Sequence, residues 1–137
     1  VIEMCREQLL WALQRSVGIL IANEDEARAW CGLEGEPALR AMMASGAAIA
    51  VLKQGERGAW IGRGDEMIWI PARRVQAVDT TGAGDLWAAG FLFGLQAGWD
   101  LKQAGQLAAA VAAEVVQVMG PEIPHRGWER LRMEFSL

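Results

Sequence analysis

The strongest constraint on the fold is a run of small and polar residues that leads directly into an apolar segment. The run is Asp79-Thr80-Thr81-Gly82-Ala83-Gly84-Asp85, and residues 86–92 are almost entirely apolar. Such a pattern is typical of a glycine-rich loop at the start of a helix, where backbone N–H groups lack partners and the helix dipole adds about half a positive charge. We therefore expect a helix over residues 83–98 with an anion-binding loop in front of it.

Three backbone donors and one carboxylate are the candidate catalytic groups in this loop. The amides of Gly82, Ala83 and Gly84 are suited to stabilise negative charge that develops on a transferred group. Asp85 lies in the first turn of the expected helix, where it can accept a proton from an attacking hydroxyl. Aspartate also begins many helices for purely structural reasons, so the residue type alone fits a capping role as well.

Hydrophobic patterning predicts an alternation of strands and helices. Helices are expected over residues 1–15, 24–31, 37–45, 83–98, 101–119 and 125–133, strands over 17–22 and 48–53, and a hairpin over 58–63 and 66–70. This order is typical of an α/β fold with a mainly parallel sheet flanked by helices. The polar motifs at residues 23–26, 53–58 and 79–85 each follow a predicted strand, and ligands of such sheets bind at those strand ends, so we expect one shared site.

The string from residue 79 to residue 92 resembles the C-terminal signature of the ribokinase-like (PfkB) family of carbohydrate and nucleoside kinases. Asn23-Glu24-Asp25-Glu26 is similar to the N-x-x-E motif of that family, and Lys53-Gln54-Gly55-Glu56-Arg57-Gly58 is similar to its G-x-x-G nucleotide loop. Residues 112–117 are most similar to the bacterial adenosine kinase and sugar kinase branch. The resemblance implies a ribokinase-like fold. It places residues 1–137 as one domain, the C-terminal nucleotide-binding and catalytic half of a kinase whose N-terminal half and lid are absent from this sequence.

The resemblance also implies a function and a set of roles. It indicates ATP-dependent transfer of a γ-phosphoryl group to a hydroxyl, with Asp85 as the general base and residues 82–84 as the anion hole. Glu26, with Asn23, would organise Mg²⁺ through water, because Mg²⁺ keeps much of its hydration in proteins. Glu24 and Asp25 are expected to be solvated charges.

The remaining positions of the resemblance concern the nucleotide and its phosphates. Gly55 and Gly58 would line the nucleotide groove with Lys53 near the phosphates, although the same residues also form a good tight turn. Thr80 and Thr81 either donate hydroxyls to phosphate or close the turn. Asp79 is either a turn residue or a ligand of a monovalent cation such as K⁺.

Composition narrows the class of partner. A net charge of −4 without a basic stripe argues against nucleic acid, and the adjacent pair Arg73-Arg74 is expected to be a solvated turn. Residues 86–98 are too short to span a membrane, and residues 104–119 contain Gln106, Glu114 and Gln117. Two cysteines without a metal-like spacing suit a reducing, cytoplasmic compartment. We expect a small-molecule acceptor as the partner, and the resemblance allows a homodimer in the full-length protein.

Two functions remain open besides catalysis. The chain could be a non-catalytic ATP-binding regulatory module, although such a module would not need the acid at Asp85. It could also be an inactive fragment that is stable only with its other half. The acceptor is not named by the sequence, and residues 112–117 favour an adenosine or ribosyl-type acceptor only slightly.

Overall fold

The computed structural model describes residues 5–137. The elements in chain order are α1 (Arg6–Ser16), β1 (Ile19–Asn23), α2 (Glu24–Cys31), α3 (Gly35–Ala44), β2 (Ile49–Lys53), a 3₁₀ turn (Gly55–Arg57), β3 (Gly58–Arg63), β4 (Glu66–Pro71), α4 (Ala83–Gln96), α5 (Leu101–Val115) and α6 (His125–Phe135). The beginning of the helix predicted over residues 1–15 lies outside the described residues. The chain divides into two compact units, with the boundary between Trp69 and Ile70, and each is described by itself.

The sheet has the strand order β1-β2-β3-β4. β1 and β2 are parallel with Asn23 opposite Lys53, whereas β2 and β3 are antiparallel with Lys53 opposite Ala59. The antiparallel pair follows from the connection, since a turn as short as Gly55–Arg57 cannot supply the crossover that a parallel pair needs. The α/β class and the predicted hairpin strands are confirmed, and the described sheet contains both parallel and antiparallel pairs.

The core of the first unit lies between the sheet and α1, α2 and α3. The buried side chains of this cluster are apolar and come from all three helices and from β1 and β2; they are Leu13, Ala22, Ala27, Trp30, Ala38, Leu39, Met42, Ala50 and Leu52. Asn23 caps the N-terminus of α2, and Gly32 ends the helix at φ +71°, in agreement with the helix expected over residues 24–31. The capped start of α2 therefore fixes the point at which β1 ends and the helix begins.

The second unit is built around the close packing of α4 on α5. A Cβ added at Gly94 would lie 2.8 Å from the Cα of Ala104, and one added at Gly90 would lie 3.1 Å from the Cα of Ala108. The small residues of α4 therefore permit close approach of the two backbones. A second cluster of buried residues joins α5 to the chain around α6 and comprises Leu107, Ala110, Val111, Val115, Ile123 and Leu131.

Two details of this unit differ from the expectation. Residues 72–82 contain no helix or strand, so the loop before α4 does not follow a strand directly. The helix predicted over 101–119 ends at Val115, because the next carbonyl, that of Val116, accepts the N–H groups of Val78 at 2.7 Å and Asp79 at 3.2 Å. Among the described residues, no helix has both the length and the apolar character needed to cross a bilayer.

Candidate active site

Asp79 holds the loop in front of α4 in place. Its Oδ1 accepts the N–H of Thr81 at 2.9 Å and the Thr81 hydroxyl at 2.7 Å, and its Oδ2 accepts the N–H of Gly120 at 2.9 Å. The hydroxyl of Thr81, followed by the N–H groups of Gly120 and Thr81, lowers the pKa of the Asp79 carboxyl. These hydrogen bonds close the turn in front of α4.

Gly82 is the point at which the loop becomes a helix. Its φ is +75°, and a Cβ at this position would lie 2.8 Å from the Cβ of Pro121, so both conformation and space require glycine. The N–H of Ala83 donates to the carbonyl of Thr80 at 3.2 Å, whereas the N–H of Gly82 has no hydrogen-bond partner among the described residues. An unused donor thus stands at the positive end of α4.

Asp85 is the third residue of α4, and its side chain is exposed. The helix begins without a side-chain cap, and within residues 5–137 the carboxylate of Asp85 forms neither a hydrogen bond nor an ion pair. The capping role that the residue type allowed is therefore not the one observed. An available carboxylate within one helical turn of the unused N–H of Gly82 can accept a proton beside a bound anion.

Asn23 and Glu26 form a capping box at the start of α2. The Oδ1 of Asn23 accepts the N–H of Glu26 at 2.8 Å, and the Oε2 of Glu26 accepts the N–H of Asn23 at 2.8 Å. The other carboxylate oxygen of Glu26 has no hydrogen-bond partner in the described part of the chain. A cluster of three His, Cys, Asp or Glu side chains able to hold a metal is absent from the described residues.

Lys53 and the two candidate glycines follow β2. Gly55 and Gly58 adopt φ of +57° and +135°, and the N–H of Gln54 donates to the carbonyl of Gly58 at 2.8 Å. The residues therefore form the tight turn that the sequence allowed, and Lys53 lies half-buried at the strand end, opposite Asn23. Parallel pairing thus brings the motif after β1 and the motif after β2 to the same edge of the sheet.

Glu24 has contacts that the sequence pattern does not indicate. It was expected to be a solvated charge, but its Oε1 accepts from Gln54 Nε2 at 2.8 Å and its Oε2 accepts from Arg57 Nη2. The hydrogen bonds from Arg57 and Gln54 lower the pKa of the Glu24 carboxyl. The available signal was an acid directly after β1 and a basic residue just after its parallel neighbour. Asp25, in contrast, is a solvated charge as expected, with a side chain that is 89% exposed.

Arg73 is expected to lie in a solvated turn, but the structure shows its side chain paired with Glu134. Its guanidinium forms two hydrogen bonds with Glu134, at 2.8 and 2.5 Å, and lies over the ring of Phe135. Glu134 in turn raises the pKa of Arg73. This pair ties the segment after β4 to α6, and neither of its residues is a candidate site residue.

The candidates therefore form two local sets. The first unit contains Asn23, Glu26, Lys53, Gly55 and Gly58, joined by strand pairing and the adjoining turns. The second unit contains Asp79 to Asp85, joined by the Asp79 hydrogen bonds and the start of α4.

Two curated relatives have a similar sequence. The chain is 32% identical over 106 residues to an uncharacterized sugar kinase of Archaeoglobus fulgidus, covering 77% of this chain and 42% of that protein. It is 36% identical over 120 residues to a nucleoside kinase of Methanothermobacter thermautotrophicus, covering 84% of this chain and 38% of that protein. The chain thus spans about two-fifths of the length of these relatives.

Solved structures show the same likeness. A probable sugar kinase from Rhizobium etli superposes with a TM-score of 0.90 at 33% identity, over 99% of this chain and 42% of that one. Adenosine kinase from Sinorhizobium meliloti gives 0.89 at 32% identity, over 97% and 41%. A putative ribokinase II from E. coli, solved in complex with ATP and Mg²⁺, gives 0.76 at 28% identity, over 88% and 39%. These neighbours confirm the ribokinase-like fold.

The family itself is identified by a match over most of the chain. The model of the pfkB family carbohydrate kinases matches residues 4–126, a range that contains the capping box, the turn after β2 and the loop before α4. The chain belongs to the pfkB family of carbohydrate kinases.

Proposed function

We propose that the protein is the C-terminal, catalytic half of an ATP-dependent kinase that transfers the γ-phosphoryl group to a hydroxyl of a sugar or a nucleoside. The observation that carries this proposal is the start of α4. There, an unused N–H at Gly82 and an available carboxylate at Asp85 lie within one helical turn of each other. Membership of a family whose named relatives are sugar and nucleoside kinases supports the same chemistry.

The reaction assigns one task to each group. Asp85 accepts the proton of the acceptor hydroxyl. The oxygen of that hydroxyl forms a bond to the γ-phosphorus, and the bond between that phosphorus and the bridging oxygen breaks to release ADP. The N–H of Gly82, with the amides of Ala83 and Gly84 and the positive end of α4, stabilises the charge on the transferred group.

ATP and Mg²⁺ are the proposed cofactors. The second carboxylate oxygen of Glu26 fits a water-mediated contact to Mg²⁺, since the first is used in the capping box. Mg²⁺ would neutralise phosphate charge during transfer. Lys53, Gly55 and Gly58 are proposed to contact the nucleotide, the hydroxyl of Thr80 to contact phosphate, and Asp79 to adjoin a monovalent cation while it holds the turn.

The acceptor is proposed to be a ribosyl-type alcohol. Adenosine kinase from Sinorhizobium meliloti and the nucleoside kinase of Methanothermobacter thermautotrophicus are among the similar proteins, although sugar kinases are too. Substrate screening should therefore include both nucleosides and free sugars.

Phosphoryl transfer across such a panel, with Mg²⁺ and ATP, tests the proposal in a polypeptide that contains this chain and its N-terminal half. In that protein, Asp85→Asn should lower kcat by about 10²–10⁴-fold, which is the usual contribution of a positioned base. Asp65→Asn is the matched control, because Asp65 is an exposed acid in the turn between β3 and β4.

Two outcomes contradict the proposal. Tight binding of ATP without transfer to any acceptor indicates the regulatory module. Turnover in Asp85→Asn equal to that of Asp65→Asn, in a folded protein, removes the role of Asp85 as general base.

A further inference from the structure

Glu24 connects two segments that lie far apart in sequence. It is the first residue of α2, directly after the N-cap Asn23, and its carboxylate bonds to Gln54 and Arg57, which lie 30 and 33 residues further along. These two partners flank Gly55 and Glu56 in the turn after β2. One carboxylate therefore holds both ends of the turn.

The contact between Glu24 and Gln54 is largely buried, whereas the side chain of Arg57 is 60% exposed. Gln54 is 8% exposed, and the side chain of Glu24 is 25% exposed, compared with 89% for the neighbouring Asp25. A buried amide needs a partner, and Glu24 Oε1 accepts the hydrogen bond from its Nε2. Hydrogen bonds to an ionised group are also stronger than those between neutral groups.

The turn is fixed from within as well. The N–H of Arg57 donates to the carbonyl of Gln54 at 3.2 Å, and the N–H of Gly58 donates to the carbonyl of Gly55. Both glycines adopt φ values that side chains rarely take, and such a turn requires support from its surroundings. Glu24 supplies that support from α2, next to the capping box.

We infer that Glu24 is a positioning residue for nucleotide binding, which sets the turn Gly55–Gly58 relative to the start of α2. The inference rests on the proposed function, because that function assigns nucleotide contact to the turn. Glu24 acts through Gln54 and Arg57 and does not itself contact the nucleotide. Its removal should weaken ATP binding without changing the chemistry at Asp85.

The test compares Glu24→Gln with Asp25→Asn in the same full-length protein. The glutamine side chain has one oxygen that accepts and one NH₂ group that only donates, whereas Gln54 and Arg57 both donate. It can therefore accept a hydrogen bond from only one of the two. Asp25→Asn removes the same charge one residue along, in the same helical turn, and therefore controls for the helix dipole. Glu24→Asp keeps the charge, so it should retain part of the ATP affinity and of the exchange protection that Glu24→Gln loses.

Two readouts separate the inference from the function on which it rests. Amide hydrogen exchange without ATP measures the turn: protection at residues 54–58 should fall in Glu24→Gln and stay unchanged in Asp25→Asn. The Kd for ATP should then rise about tenfold in Glu24→Gln, and KM for ATP with it, while kcat at saturating ATP stays near that of the wild type.

Three different results would overturn the tether, the positioning role of Glu24 and the proposed function. Equal exchange at residues 54–58 in the two variants overturns the tether, and unchanged ATP affinity despite faster exchange overturns its positioning role. If the wild-type protein binds no ATP at all, the proposed function fails, and the nucleotide role of Glu24 fails with it.

Discussion

At the scale of single residues, the start of α4 depends on Gly82. This residue combines φ +75° with a Cβ direction that points at Pro121. Gly82→Ala should destabilise the protein by about 1–2 kcal/mol from the left-handed conformation alone, and the contact with Pro121 adds to this. Chemical denaturation of the variant measures the loss, and a stability equal to that of the wild type contradicts the described loop.

Asp79 provides a second prediction, for the acid range. Its folded pKa lies below the ordinary value of 3.8, so its stabilising contribution is present above that value and is lost as the pH falls through the folded pKa. The N–H groups of Thr81 and Gly120 should therefore lose protection from exchange in strong acid.

Asp79→Asn is the comparison for that measurement. The asparagine oxygen still accepts from Thr81, but its NH₂ group cannot accept from Gly120, so the amide of Gly120 should be unprotected at neutral pH as well. Protection of Gly120 that is the same in both proteins at every pH would show that Asp79 does not hold the loop.

Some residue-level features could be predicted from the sequence, and others could not. The bounds of α2 depend on neighbours within a few residues, Asn23 before it and Gly32 after it, so the local pattern was sufficient for the helix expected over residues 24–31. Glu24 and Arg73 find their partners 33 and 61 residues away. Such pairs depend on the tertiary fold, which no local pattern encodes.

At the scale of secondary-structure elements, the contact between α4 and α5 is the most sensitive to volume. In Gly94→Ala, overpacking against Ala104 costs about 1–3 kcal/mol and the better helix propensity of alanine returns up to about 1 kcal/mol, so a net loss of stability is expected. Thermal denaturation of the variant checks this.

The reciprocal exchange is the control for that prediction. Adding Ala104→Gly removes the methyl group that faces the new side chain, although the Ala104 Cα is equally close at 2.8 Å. The double variant should therefore recover only part of the loss in melting temperature caused by steric overlap. If Ala104→Gly changes the melting temperature of the Gly94→Ala variant by no more than it changes that of the wild type, steric overlap between positions 94 and 104 is not the cause.

Some secondary-structure elements could be predicted from the sequence with their bounds, whereas the end of α5 could not. The hairpin was predictable because Gly64-Asp65 is a strong turn signal between alternating segments, and α2 has clear start and stop residues. The end of α5 was not predictable, because it depends on the carbonyl of Val116 meeting the amides of residues 78 and 79. Hydrophobic periodicity continues past that point and carries no sign of this contact.

At the scale of the whole molecule, the carboxylates with lowered pKa values predict acid sensitivity. Glu24 and Glu134 are held below the ordinary value of 4.5, mainly by Arg57 and Arg73, and Asp79 below 3.8. Stability from these groups is complete above those values and decreases as the pH falls through the folded pKa values. The melting temperature should therefore fall steeply below about pH 4.5.

The combined variant Glu24→Gln, Glu134→Gln tests the origin of this behaviour. Its melting temperature should be lower than that of the wild type at pH 7, and the difference should shrink as the pH approaches 3. A difference that is independent of pH would mean that ionisation of these two carboxylates does not contribute.

The positive-φ glycines also determine how this sequence can vary. Gly64 and Gly98 adopt φ of +58° and +81° with no atom within 4 Å of an added Cβ, so asparagine, which tolerates this conformation, can occupy them. Gly82 has a similar φ but faces Pro121 at 2.8 Å. A selection from fully randomised codons should therefore return both glycine and asparagine at positions 64 and 98, and glycine alone at position 82.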